Sequence, residues 1–154
     1  MDWVHLHLAL NHVPVLGTPF LFGLLVWSWA RGQAVTLRFC LWLFVALAAA
    51  SIAIKFTGDF AAESLGKAKL NLDAAWIARH EQAADQATTG VFVMGIAAAV
   101  SLFQSRGGRR PPTWALTVLA ILALATFLLM ARTANLGGHI RHPEIRPANA
   151  VSPA

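Results

Sequence analysis

Thr113-Trp-Ala-Leu-Thr-Val-Leu-Ala-Ile-Leu-Ala-Leu-Ala-Thr-Phe-Leu-Leu-Met130 runs directly into Ala131-Arg-Thr-Ala-Asn-Leu-Gly-Gly-His-Ile-Arg-His-Pro-Glu-Ile145. The first half carries no charge and, at ~1.5 Å per residue, is long enough as a helix to cross most of a ~30 Å hydrocarbon core. The second half holds two arginines, two histidines, a Gly-Gly pair and a stopping proline. On one continuous helix His139 and His142 lie ~60° apart, on one face. Gly137 and Gly138 remove side chains just before them, so a bulky neighbour can approach the backbone. An apolar span that ends in a histidine-bearing rim sets the reading of the whole chain.

The composition agrees with a membrane origin. Of 154 residues 57% are hydrophobic and 12% charged, with a mean hydropathy of +0.59. A soluble domain carries about twice that charge. These figures describe one compact integral membrane domain. The formal charge of +5 does not point to nucleic acid, because the basic residues sit in short loops and at helix ends beside apolar runs, the ordinary topology signal. Cys40, the one cysteine, lies in an apolar run, where it is a small core or lipid-facing side chain. With no Cys-x-x-Cys-His the chain cannot attach a c-type haem. The N-terminus opens on Asp2 and carries histidines and two prolines, so it is read as a retained first helix and not as a signal peptide.

Four segments are long enough to span, and their unbroken apolar runs exclude a barrel's alternation. The expected helices cover about 8–30, 35–56, 72–104 and 113–141, within one all-α four-helix domain over 1–142. Residues 143–154, rich in proline, are expected to form a loosely held tail. Arg31-Gly-Gln-Ala-Val and Ser105-Arg-Gly-Gly-Arg-Arg-Pro-Pro112 are tight connections with arginines and no acids, so both read as cytoplasmic. The long connection, about Thr57 to Gln86, leads into a third helix from Leu72 with Asn71 as its N-cap, projecting several turns beyond the bilayer. Trp27, Trp29, Trp42 and Trp114 mark the arginine-side interface, and Trp3 and Trp76 the other. The expected protein is therefore a multi-pass component of a bacterial inner membrane. Both termini and all six histidines (His5, His7, His12, His80, His139 and His142) then face the periplasm.

One interfacial histidine is ordinarily an amphipathic side chain with a wet nitrogen. Six on one rim, from three helices, point to a site, since imidazole is a common metal and haem ligand and polar groups at membrane depth are kept for function. Structural zinc would want cysteines that are not there. Non-haem iron or zinc could use His80 with Glu81, Glu63 or Asp59. A b-type haem needs axial imidazoles, small residues beside the macrocycle, and cations for its propionates. Ala83, Ala84 and Ala87 follow His80, the two glycines precede His139, and Lys55, Arg79 and Arg132 are candidate cations. Haem b is the preferred cofactor.

His7-Leu-Ala-Leu-Asn-His12-Val-Pro14 resembles the His-Pro-x-x-x-His-Phe-Pro first-helix signature of a bacterial four-helix membrane domain family of unknown function, some members of which are joined to Rieske domains. His80 matches that family's histidine before the third helix. Gly137-Gly138 and Arg141-His142 match the Gly-Gly and Arg-His that end its fourth. Leu8, Val13 and Pro143 depart from the pattern, and so does Thr57-Gly-Asp-Phe-Ala-Ala-Glu63. The resemblance implies haem binding or electron transfer through His7, His12, His80 and His142, with His5 and His139 outside the matched set. On a straight helix His7 and His12 are ~140° apart and His5 and His12 only ~20°. A single site for all three would need a break before Pro14. Asn11 is expected to cap the helix that begins at His12, with His5 and His7 in a preceding turn. His12 with His80 is the expected axial pair, for one haem or two.

The expected function is a membrane-anchored electron-transfer subunit, a redox carrier more than a stand-alone enzyme. Its expected partners are the lipid bilayer, other membrane subunits, and quinol or a periplasmic cytochrome or iron–sulfur protein. The alternatives are an accessory subunit without cofactor and a non-haem metal-binding protein. No Gly-x-Ser-x-Gly or phosphate loop supports another chemistry.

Overall fold

The computed structural model describes residues 2–67 and 73–146. Its helices are α1 (Trp3–Leu10), α2 (His12–Ala30), α3 (Ala34–Lys67), α4 (Ala74–Gln104) and α5 (Thr113–Arg141), with 3-10 turns at Arg106–Gly108 and Pro143–Ile145. Among the described residues four spans are long and apolar enough to cross a membrane: Trp3–Ala30, Ala34–Ser64, Ala74–Gln104 and Thr113–Arg141. The fold is an all-α integral membrane four-helix bundle. Consecutive spans pack side by side, and α5 closes the ring against α2. An even number of crossings puts both termini at one end.

The first span is longer than 8–30 and is broken once. Pro14 has no N–H to give the Leu10 carbonyl, and the bond from the Val15 amide to the Asn11 carbonyl is stretched to 3.5 Å. Asn11 was expected as an N-cap, but it has helical dihedrals (φ −65°, ψ −20°) and makes no capping bond, because α1 leads straight into α2. His5 and His7 therefore lie in a short helix of their own.

The second span runs eleven residues past its expected end at 56, so Thr57-Gly-Asp-Phe-Ala-Ala-Glu63 is helix and not connection. The Thr57 hydroxyl donates to the Ile54 carbonyl (2.6 Å) and the Ser64 hydroxyl to the Phe60 carbonyl (2.8 Å), so polar side chains are absorbed by the helix itself. Glycine within a helix costs about 1 kcal/mol relative to alanine, and Gly58 is where a side chain of α1 packs. The third span starts at Ala74, with Asp73 as its N-cap accepting from the Ala75 amide at 3.0 Å. The expected cap Asn71, and Leu72, lie outside the described residues. The fourth span matches its expected bounds, Thr113–Arg141. The tail begins less loosely than expected. Arg146 donates to the His139 carbonyl (2.9 Å) and to the Asp73 carboxylate (3.0 Å), anchoring the turn after α5 to the start of α4. Residues 147–154 lie outside the described residues.

At the arginine end, turns use positive φ at Gly32 (63°), Gly107 (68°) and Gly108 (78°). Arg110 donates to the Gly32 carbonyl at 3.1 Å and ties the two loops together. The core is Leu25, Leu41, Phe44, Val91, Met94 and Leu119, with Cys40 buried beside Leu21. Thr18, Ser51 and Ser101 return their hydroxyls to carbonyls of the preceding turn, as burial beside lipid requires. Large apolar side chains such as Phe39, Ile96, Ile121 and Leu128 cover the outside, the surface a bilayer accepts and water does not.

Candidate functional site

The histidine-bearing end is built from two helix pairs that treat an imidazole in the same way. His7 on α1 lies across α3. A Cβ on Gly58 would come within 2.9 Å of the His7 Cε1, so the glycine is the seat of the ring. His80 on α4 lies across α5, where a Cβ on Gly137 would come within 3.2 Å of the His80 Cε1. Both imidazoles are half-buried.

Hydrogen bonds at Nδ1 orient both rings. His80 Nδ1 is 3.0 Å from the Thr133 carbonyl, an acceptor only, so Nδ1–H donates. His7 Nδ1 is 3.1 Å from Thr57 Oγ1. The Thr57 hydroxyl also lies 2.6 Å from the Ile54 carbonyl, and with its hydrogen given to that carbonyl it accepts from His7 Nδ1–H. A neutral ring that donates through Nδ1–H has a bare lone pair on Nε2, the tautomer that metal-ligating histidines adopt when an outer partner holds Nδ1–H.

The other four histidines are placed differently. His12, the expected partner of His80, is exposed, and its Nδ1 donates to the Leu8 carbonyl one turn back (2.7 Å). His5 and His142 are exposed and bond the nearby carboxylates of Asp2 and Glu144. His139 meets the edge of Trp76 at 4.8 Å between ring centres. Its Nδ1 is one of two buried side-chain polar atoms without a partner among the described residues, the other being Gln104 Oε1.

Trp76 is buried, 5% exposed, and so is not the interfacial belt residue expected. The guanidiniums of Arg79 and Arg146 lie over its ring at 5.2 and 5.1 Å. Trp3, by contrast, is exposed and stacks on Phe60. Of the candidate cations, Lys55 is ion-paired with Asp85, and Arg132 donates to Gln86 Oε1 at 3.1 Å. Among the described residues no three His, Cys, Asp or Glu side chains come together as metal ligands would. His80, Glu81, Glu63 and Asp59 thus do not form the non-haem site considered from the sequence. Thr57, Gly58 and the Thr133 carbonyl were not identified as site residues from the sequence. The signal for the first two was present, a Thr-Gly pair directly after an apolar run, but it is intelligible only if that run stays helical.

Asp2 caps α1 by accepting from the Val4 amide at 3.0 Å. The hydrogen bond to His5, reinforced by the Val4 amide, holds its carboxyl below the ordinary value of 3.8. A carboxylate lowered by folding contributes stability above its unfolded value and loses it as pH falls through the folded one. The first turn of α1 is therefore expected to loosen only below pH 3.8. The Val4 amide chemical shift in micelles reads this directly, and a midpoint at or above the ordinary value would count against the cap.

These features define a multi-pass bundle with two oriented imidazoles, each bridging a pair of helices at one end. Comparison with family models, curated proteins and solved structures finds no match to this chain. The resemblance drawn above rests on its own motif residues.

Proposed function

We propose that this chain is an electron-transfer subunit of a bacterial inner membrane that holds b-type haem through His7 and His80, with that end facing the periplasm. The observation that carries the reading is two half-buried imidazoles at one end of the bundle, each seated against a glycine of the neighbouring helix with its Nδ1 in a hydrogen bond. The donor set fits haem b, which needs two neutral imidazoles and no cysteine. When bound, the haem supplies a one-electron couple near the outer surface.

The chain's own residues hold and orient. Thr57 Oγ1 and the Thr133 carbonyl fix each ring's rotation and raise its basicity. Gly58 and Gly137 let each ring sit against the neighbouring backbone. Arg79, which has no carboxylate partner among the described residues, is the cation available to a propionate. Quinol or a soluble cytochrome or iron–sulfur protein would be the redox partner, within a larger membrane complex.

The test is an absorption spectrum of detergent-purified protein, oxidised and then dithionite-reduced, with pyridine haemochrome quantitation. The expected result is the sharp reduced α-band of six-coordinate haem b at one haem per chain. Colourless protein from cells replete with haem would overturn the reading. The histidines would then be struts of an accessory subunit.

A further inference from the structure

The opposite end of the bundle carries a second feature, independent of the histidines. An open cleft of about 300 Å³ lies between α3 and α4. At its mouth stand Arg38, in the first turns of α3, and Arg106, just past the end of α4. Trp42 and Phe103 form its walls, 60% and 64% exposed, and Val45 and Leu102 line it deeper in. From Arg38 to Val45 the helix rises ~10 Å. The cleft therefore runs from the arginine end of the bundle about 10 Å along the apolar spans.

The charge at this end is unbalanced. The chain has twelve Lys and Arg and seven Asp and Glu. Arg31, Arg38, Arg106, Arg109 and Arg110 lie at the cleft end by sequence. All seven acids lie toward the other end with the remaining seven basic residues, so the whole net charge of +5 belongs to the arginine end. Arg106 lies over the Phe103 ring at 4.5 Å, which keeps its guanidinium at the cleft. Neither Arg38 nor Arg106 is paired with a carboxylate among the described residues.

We propose that this cleft binds an anionic phospholipid, with its phosphate between the guanidiniums of Arg38 and Arg106 and one acyl chain against Trp42, Val45 and Leu102. Guanidinium is suited to a phosphate because its planar fork gives paired hydrogen bonds and is weakly hydrated. The aromatic walls sit where a glycerol backbone and upper acyl carbons would pass. Basic clefts between membrane helices recognise headgroups in this way. A free phosphate would gain nothing from the apolar lining of the cleft.

Native mass spectrometry of the full chain tests this, with dioleoyl phosphatidylglycerol, dioleoyl phosphatidylcholine and inorganic phosphate as probes. Each guanidinium near an anionic headgroup is worth about a fivefold preference, so wild-type protein should retain phosphatidylglycerol about thirtyfold better than phosphatidylcholine. The Arg38→Gln/Arg106→Gln variant should lose that preference, and Arg109→Gln should keep it. Equal retention of the two lipids by wild type would overturn the proposal without any variant. An equal loss in Arg109→Gln would also overturn it, by showing diffuse attraction in place of a site. Phosphate retained as well as lipid would reduce the site to an adventitious anion and overturn it too.

Discussion

Replacing His80 by alanine is expected to abolish the reduced α-band of haem b, and replacing His7 is expected to do the same. Removing a ligand's outer hydrogen-bond partner costs tenfold to a hundredfold in affinity at typical metal sites, so losing the ligand itself should cost more than about a hundredfold. His12→Ala is the contrasting variant. His12 is exposed and bonded to its own helix, so the band and the haem-to-protein ratio should survive its loss. His7→Gln and His80→Gln guard against simple misfolding, since glutamine can still donate to Thr57 Oγ1 or to the Thr133 carbonyl while offering the metal no imidazole. A protein that keeps its band without His7 but loses it without His12 would return the ligand pair to the one first expected from the sequence. A band that survives the loss of either residue would remove both His7 and His12 from the ligand set.

Why the sequence suggested His12 and the proposal takes His7 is a matter of one helix boundary. With the second span ending at residue 56, nothing stood opposite His7. The structure continues α3 to Lys67, which carries Thr57 and Gly58 under that ring. Apolar content alone stops counting helix where polar residues begin, yet a helix that leaves the membrane needs no further apolar residues if α1 packs beside it. The four spans were legible because lipid admits few backbone solutions. The Asn11 cap was not, since the same Asn-x-x-Pro pattern serves either to start a helix or to join two. Gly137 was recognised as a place of close approach, but the group it admits is the imidazole of His80 from the neighbouring helix. Sequence spacing showed that the space existed and could not show which side chain entered it.

Gly95→Leu is expected to destabilise the bundle most among substitutions away from the histidines. The α3–α4 contact is made at Gly95 and Ala48, and any Cβ on Gly95 would overlap the Ala48 Cβ, with the Phe44 carbonyl 3.7 Å away. Helices in lipid gain no hydrophobic drive from meeting each other, so close packing of small residues carries the association. Overpacking such a contact costs about 1–3 kcal/mol. Gly95→Ala gains up to about 1 kcal/mol of helix propensity and should still be less stable than wild type, with leucine worse. Gly23 separates the two effects: nothing lies within 4 Å of its Cβ position, so Gly23→Ala should gain the propensity without the clash. The decisive variant exchanges the pair, Gly95→Ala with Ala48→Gly. It moves the methyl group from one helix to the other at nearly constant volume, so thermal denaturation in detergent should recover most of the loss seen in Gly95→Ala. Additive losses in the double variant would mean that the two helices do not meet through these residues. In that case the core between α3 and α4 would owe its closeness to Phe44 and Met94 instead.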